Sequence, residues 1–149
     1  MSNEFEFYHG VALCRIIHDS PHATIRLYSE KGNSSYVVNN DTGIFIKYCT
    51  KRMSPWHFTF AKNHCDELFG MMQNIKAVFL ILVCKDDGVV CLASDEIKTV
   101  LNSALDKPQG VSVARGPREK YRVSGGKDGK LKFKIADNQF PSRIFGRQE

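Results

Sequence analysis

The sequence predicts one α/β domain of the α+β type: a mixed, largely antiparallel sheet of about six to eight strands with three helices. Three observations carry that prediction. Apolar residues recur at helical spacing in three segments. Short runs of β-branched and aromatic residues, several of them alternating, are separated by turns rich in Gly, Asn and Asp. One run, Ala77–Cys84, is apolar throughout, as expected of a strand covered on both faces.

The elements follow in order. Phe5, His9, Ala12 and Ile16 lie near helical spacing, with Leu13 and Ile17 beside them, which predicts a first helix over 5–17. Gly10 weakens it, and a strand through 11–17 competes. Pro21 ends the segment. Residues 23–29 alternate as a strand, Glu30-Lys31-Gly32-Asn33 turn the chain, and 36–38 form a short partner. Asn39-Asn40-Asp41-Thr42-Gly43 make a second turn, from residues that tolerate unusual backbone angles. Strands over 44–48 and Trp56–Phe60 come next.

Asn63 reads as the cap of a second helix, with Asp66 and Glu67 opposing its positive end. His64, Leu68, Met71 and Ile75 form that helix's apolar face. After Ala77–Cys84, Lys85-Asp86-Asp87-Gly88 turn into a strand over 89–92. Ser94 is the expected cap of a third helix over 95–105, carrying Ile97, Val100, Leu101, Ala104 and Leu105, and Pro108 stops it. Strands over 111–115, 121–124 and 131–135 complete the chain, the last two joined by Gly125-Gly126-Lys127-Asp128-Gly129.

No repeat, linker or low-complexity tract divides the sequence, and 149 residues suit a single domain over 1–149. A hydrophobic fraction of 42% with 25% charged residues excludes a wholly disordered chain. Five cysteines, an odd number with no Cys-x-x-Cys pair, suit a reducing compartment. The N-terminus is acidic and lacks a signal-type apolar run, and the longest apolar stretch falls far short of the roughly 20 residues that span a bilayer. A soluble cytoplasmic protein with no membrane partner is therefore expected.

The net charge of +5 is unevenly distributed. Residues 1–106 carry 10 Lys and Arg against 12 Asp and Glu, whereas residues 107–149 carry 11 against 4. A cationic last third on a balanced body suggests a polyanionic partner, since neutralising phosphates gives affinity without sequence specificity. A merely solvated basic face is the plainer alternative. Leu131, Phe133 and Ile135 alternate with Lys130, Lys132 and Lys134, and Tyr121 and Val123 alternate with Lys120 and Arg122. Strand geometry would gather the apolar residues on one face and a ladder of cations on the other, with Arg115 and Arg118 just upstream.

The stretch Gly43 to Phe60 is the other focus. Its strands flank a basic, Pro-containing turn holding Lys51 and Arg52, beside Trp56. Trp56, Phe58 and Phe60 share one face of a strand, and His57 and Thr59 share the other. Trp56 is either a core anchor or a platform on which bases stack. Lys47 lies opposite Ile44, Ile46 and Tyr48, either solvated or drawn into a cleft.

This order of a helix, a strand meander, a helix and a buried strand resembles the core of restriction-endonuclease-like folds. Members of that superfamily carry an acid near one strand and an acid-any-lysine triplet in the next. The resemblance covers about residues 5–84, and Lys47 occupies the lysine position. Asp41 precedes the strand, but Phe45 stands where the triplet's acid belongs. Without that carboxylate a divalent metal lacks a principal oxygen ligand, so the resemblance implies a degenerate site. Under that reading Asp41 and Lys47 would be the catalytic pair and Mg²⁺ the cofactor.

Other constellations carry less chemistry. Pro21 separates His18 from His22, and His57, His64 and Cys65 lack a third metal ligand or an orienting acid beyond Asp66. No metal site and no resident cofactor are expected. The sequence thus favours a non-catalytic domain that binds DNA or RNA through Lys47, Lys51, Arg52, Trp56, Arg115, Arg118, Lys120, Arg122, Lys132 and Lys134. An acidic protein partner would use the same cations, and a metal-dependent nuclease is the second alternative.

Overall fold

The computed structural model describes residues 4–126 and 129–146. Among them, three α-helices and eight strands form two sheets, with mostly antiparallel pairing. Helix α1 (Glu4–Asp19) forms where the apolar spacing predicted it and buries Tyr8, His9, Ala12 and Ile16. A strand over 11–17 would have sent Ala12 and Ile16, four apart, to one face but left His9 on the other; the helix buries all three together.

Strands β1 (Ile25–Leu27), β2 (Ser35–Val38) and β3 (Thr42–Cys49) run as an antiparallel meander. Asn39 and Asn40 turn β2 into β3 with φ of 55° and 63°, a left-handed conformation that asparagine tolerates better than most residues. β5 (Ala77–Cys84) then lies parallel to β3 over its full length, and β6 (Gly88–Leu92) adds antiparallel at the far edge. The first sheet is ordered β1-β2-β3-β5-β6.

The continuous apolar run of β5 has the expected cause. Leu80, Leu82 and Cys84 face a core shared with the other two helices and the second sheet, while Ile81 and Val83 face α1. Helices α2 (Lys62–Asn74) and α3 (Ser94–Val100) supply Leu68, Met71, Ile97 and Val100 to the former core. β4 (Trp56–Phe60), β7 (Gln109–Ala114) and β8 (Arg122–Ser124) form the second sheet and close that side. Two 3₁₀ turns, Asp137–Gln139 and Ser142–Phe145, follow, and Phe140 and Ile144 pack on the α1 side. No helix among the described residues is long and apolar enough to cross a membrane.

Both predicted caps shift upstream. α2 begins after Ala61, not at Asn63, and α3 after Ala93, not at Ser94. Alanine has no oxygen to offer, so the third helical residue reaches back instead. The Ala61 N–H donates to His64 Nδ1 at 3.3 Å, and the Ala93 N–H donates to Glu96 Oε1 at 2.9 Å. α3 also stops at Val100, well short of 105. There the Gln109 side chain accepts from the Asn102 N–H at 2.8 Å and donates to its carbonyl at 2.7 Å, drawing that backbone out of the helix.

The predicted strand over 131–135 is replaced by an irregular segment. Its ends alone are tied to β8 and the residue before it: Lys130 bridges Ser124, the Leu131 N–H donates to the Val123 carbonyl at 3.0 Å, and Ile135 bridges Tyr121. Between those bridges four residues, 131–134, stand against two, Arg122 and Val123. Either regular register would set Arg122 opposite a lysine, Lys132 or Lys134, an unfavourable cross-strand pairing. The two-residue bulge spreads these charges, and Arg122 instead bonds Glu119 at 3.1 Å. Gly125 seats this hairpin against α3, for a Cβ there would overlap the Val100 carbonyl. Lys127 and Asp128 of the predicted connection lie outside the described residues.

Candidate functional site

Lys47 is placed by the way β2 ends. Ser35, the first residue of β2, pairs with Phe45, and the Ile46 N–H bonds the Ser34 carbonyl at 2.8 Å. Beyond that bond β2 contributes no further partner, while β5 continues on the other side with Lys47 opposite Leu82. Lys47 therefore stands at an open strand edge, half-buried in a cleft of about 460 Å³. His9, Ser34, His57, Thr59 and His64 also line this cleft.

The charge within it is one-sided. Among the described residues lining the cleft there is no carboxylate, and none forms an ion pair with Lys47. The ammonium instead donates to His64 Nδ1 at 3.4 Å and lies 5.1 Å from the centre of the Phe60 ring. The Ala61 N–H converges on the same Nδ1, so the imidazole is neutral with its proton on Nε2. Burial lowers the Lys47 pKa, and burial followed by the Lys47 charge lowers that of His64. The nearest acid on α2, Glu67, lines an adjoining depression and accepts a 2.7 Å hydrogen bond from the Ser35 hydroxyl. A partly desolvated cation among N–H and O–H donors suits an anion; it lacks the oxygen ligands for a divalent metal.

His9 reports on the same electrostatics. It is 3% exposed, hydrogen-bonds Tyr36 Oη through Nδ1 at 2.8 Å and sits edge-on to Phe5 and Tyr48. Burial, then the nearby Lys47 charge, brings its pKa from 6.5 down to about 4. Between those two values the unfolded chain takes up a proton that the folded protein refuses. Stability is therefore complete above pH 6.5 and falls as pH drops towards 4, by at most about 3 kcal/mol from this group. Urea unfolding at pH 7 and pH 5 should show the loss in the wild type and a smaller loss in His9→Gln. Equal losses in both proteins would contradict this account.

The cleft opens onto the outer face of the second sheet. In β4, Trp56, Phe58 and Phe60 are buried while His57 and Thr59 are exposed: the alternation separates the two faces as expected, and the aromatic one turns inward. His57 pairs with Ser112, Ser112 with Ser124, and Ser124 bridges to Lys130, giving one cross-strand row. The His57 Nδ1 and Ser112 Oγ are 2.7 Å apart. Three inter-strand steps carry this row about 14 Å from the cleft to the basic hairpin. β4, β7 and β8 contain no acidic residue, so this face is polar, small-chained and free of strand carboxylates.

The residues singled out from sequence fare unequally. Lys51, Arg52, Arg118, Lys120, Arg122, Lys132 and Lys134 are exposed. The loop bearing Lys51 and Arg52 is tied to the end of β7, where the Arg115 N–H donates to Ser54 Oγ at 3.1 Å. Trp56 is 1% exposed, stacks edge-on to Tyr121 and donates its Nε1–H to the Lys51 carbonyl at 2.8 Å, so no base can reach its ring. Arg115 is internally engaged: it pairs with Asp87 at 2.9 Å and Asp137 at 3.0 Å and lies over the Tyr121 ring. Asp41 immediately precedes β3 and Lys47 lies near its far end, six residues and about 20 Å on, so they cannot hold one metal between them.

Cys65 is buried, its thiol pKa raised chiefly by burial, which suits a structural role. No group of three potential metal ligands occurs among the described residues. Ser34 carries no signal in sequence; His9 and His64 read there as helix-face positions, His64 also as part of an incomplete metal or nucleophile set, and Lys130 as one of the hairpin's cations, none of them placed at this site. No protein family, curated protein or solved structure matches the chain.

Proposed function

We propose that this is a non-catalytic nucleic-acid-binding domain. One observation supports the reading above others: among the described residues, a track whose cleft lining and strands carry no carboxylate runs from Lys47 across the outer face of the second sheet to Lys130 and the basic hairpin. Lys47 takes a phosphate in the cleft, aided by the His64 Nε2–H and the Thr59 and Ser34 hydroxyls. Lys130, Lys132 and Lys134 neutralise further phosphates along the strand, and Lys51, Arg52, Arg118, Lys120 and Arg122 extend the basic field. Trp56 and Arg115 drop out of the contact set. These contacts fix position on a backbone and carry no base specificity.

The restriction-endonuclease-like resemblance belongs to this proposal as a statement about scaffold. The β1–β2–β3 meander, followed after β4 by α2 and by a β5 parallel to β3, supports it. Cleavage through Asp41 and Lys47 is not part of the proposal, because their separation removes the shared metal.

The test is fluorescence anisotropy with labelled DNA and RNA over a salt series, in wild type and Lys47→Met. Binding should weaken linearly in log–log coordinates, and Lys47→Met should flatten the slope by about 0.7 to 0.9, one phosphate's worth. Thermal stability should not fall in the variant, since a half-buried ammonium without a counter-ion is removed. Absence of nucleic-acid binding at low salt would overturn the reading in favour of an acidic protein partner.

A further inference from the structure

We infer that Phe133 is a base-stacking platform and that the partner is therefore single-stranded, or carries unpaired bases. This deepens the reading just proposed and rests on it. Regular alternation would have buried Phe133 beside Leu131 and Ile135. The bulge instead leaves it 82% exposed, the highest among the exposed large hydrophobic residues described, while Leu131 and Ile135 keep their contacts with the core. Bulges commonly re-aim a side chain where a strand meets a ligand.

The surroundings specify the chemistry. Lys132 and Lys134 flank the ring in sequence, Lys130 lies at the end of the His57–Ser112–Ser124 row, and Lys120 and Arg122 are exposed on the opposing segment. Among the described residues the neighbouring acids are occupied: Glu119 bonds Arg122 and the Gly116 N–H, and Asp137 pairs with Arg115. An exposed aromatic among cations engages a base face and its phosphates together. In a duplex the base faces are already stacked on one another, so only an unpaired strand offers both.

The experiment compares a labelled single-stranded 20-mer with a duplex of equal length, using wild type, Phe133→Ala and Phe133→Trp. Phe133→Ala should weaken single-strand binding about 5- to 150-fold, the range for loss of one stacked base, with duplex binding and melting temperature unchanged. Phe133→Trp should bind the single strand at least as well, and the new indole's fluorescence should be quenched by single strand but not by duplex. Trp56, the only native tryptophan, is buried and contributes no such signal.

Unchanged single-strand affinity in Phe133→Ala, with wild-type nucleic-acid binding intact, would overturn the stacking role and leave the proposed function standing. Failure of wild type to bind either nucleic acid would overturn both. Anionic phosphatidylserine vesicles serve as a further arm. Phe133-dependent vesicle binding without a Phe133-dependent change on single strands would make the ring a lipid contact and overturn the inference.

Discussion

Reversing Lys130, Lys132 and Lys134 together to glutamate is expected to weaken single-strand binding by about a hundredfold at 0.1 M salt. The figure follows from counterion release. Each phosphate neutralised on a single strand contributes about 0.7 to the log–log salt slope, which at 0.1 M is about fivefold per contact. The triple variant should therefore lose about two units of slope as well as affinity. All three lysines are exposed and none forms a described ion pair, so the melting temperature should hold. Lost affinity at an unchanged slope would point to a partner other than a polyphosphate. Unchanged affinity would reduce the hairpin's charge to solvation.

Trp56→Ala is expected to act in the opposite way, destabilising the fold by about 3–5 kcal/mol while sparing the binding surface of molecules that remain folded. The indole lies in the core with Phe58, Phe60, Val113 and Tyr121, and its N–H holds the Lys51 carbonyl. Removing it leaves a cavity where the second sheet meets the first and frees the loop that carries Lys51 and Arg52. Denaturant unfolding measures the first effect. Anisotropy well below the variant's midpoint measures the second, where only a modest loss from the Lys51 and Arg52 loop is expected. A binding defect larger than that loop explains, with stability preserved, would return Trp56 to the interface. Native tryptophan fluorescence should likewise be indifferent to added oligonucleotide.

Much of this architecture was legible in the sequence because local pattern and burial agree. Ala77–Cys84 reads as a strand covered on both faces and is one, with α1 on one side and the second core on the other. The alternation in Trp56–Phe60 separated its two faces correctly without telling which of them is buried, and the spacing in α1 outweighed Gly10. The misreadings arose where a distant residue supplied a hydrogen bond or a charge. Asn63 and Ser94 look like caps, yet His64 and Glu96 reach back to alanines instead. The third helix was drawn too long because nothing near 101 announces that Gln109 will capture the Asn102 backbone.

The sequence by itself determined that the chain makes an α/β domain and that its excess positive charge lies in the last third. These are properties of residue type and spacing, and short-range backbone geometry converts them directly into elements. Only the tertiary structure decided what those elements bring together. β2 stops one residue short of covering Lys47, and α1, β4 and α2 converge there, gathering three histidines from positions 9, 57 and 64 into one carboxylate-free cleft. A two-residue mismatch between β8 and 131–134, which keeps Arg122 from facing a lysine directly, turned Phe133 outward against its own alternation. The Lys47 cleft joins segments far apart in the chain and the hairpin's mismatch depends on pairing register, so neither is recorded in the spacing of a single segment.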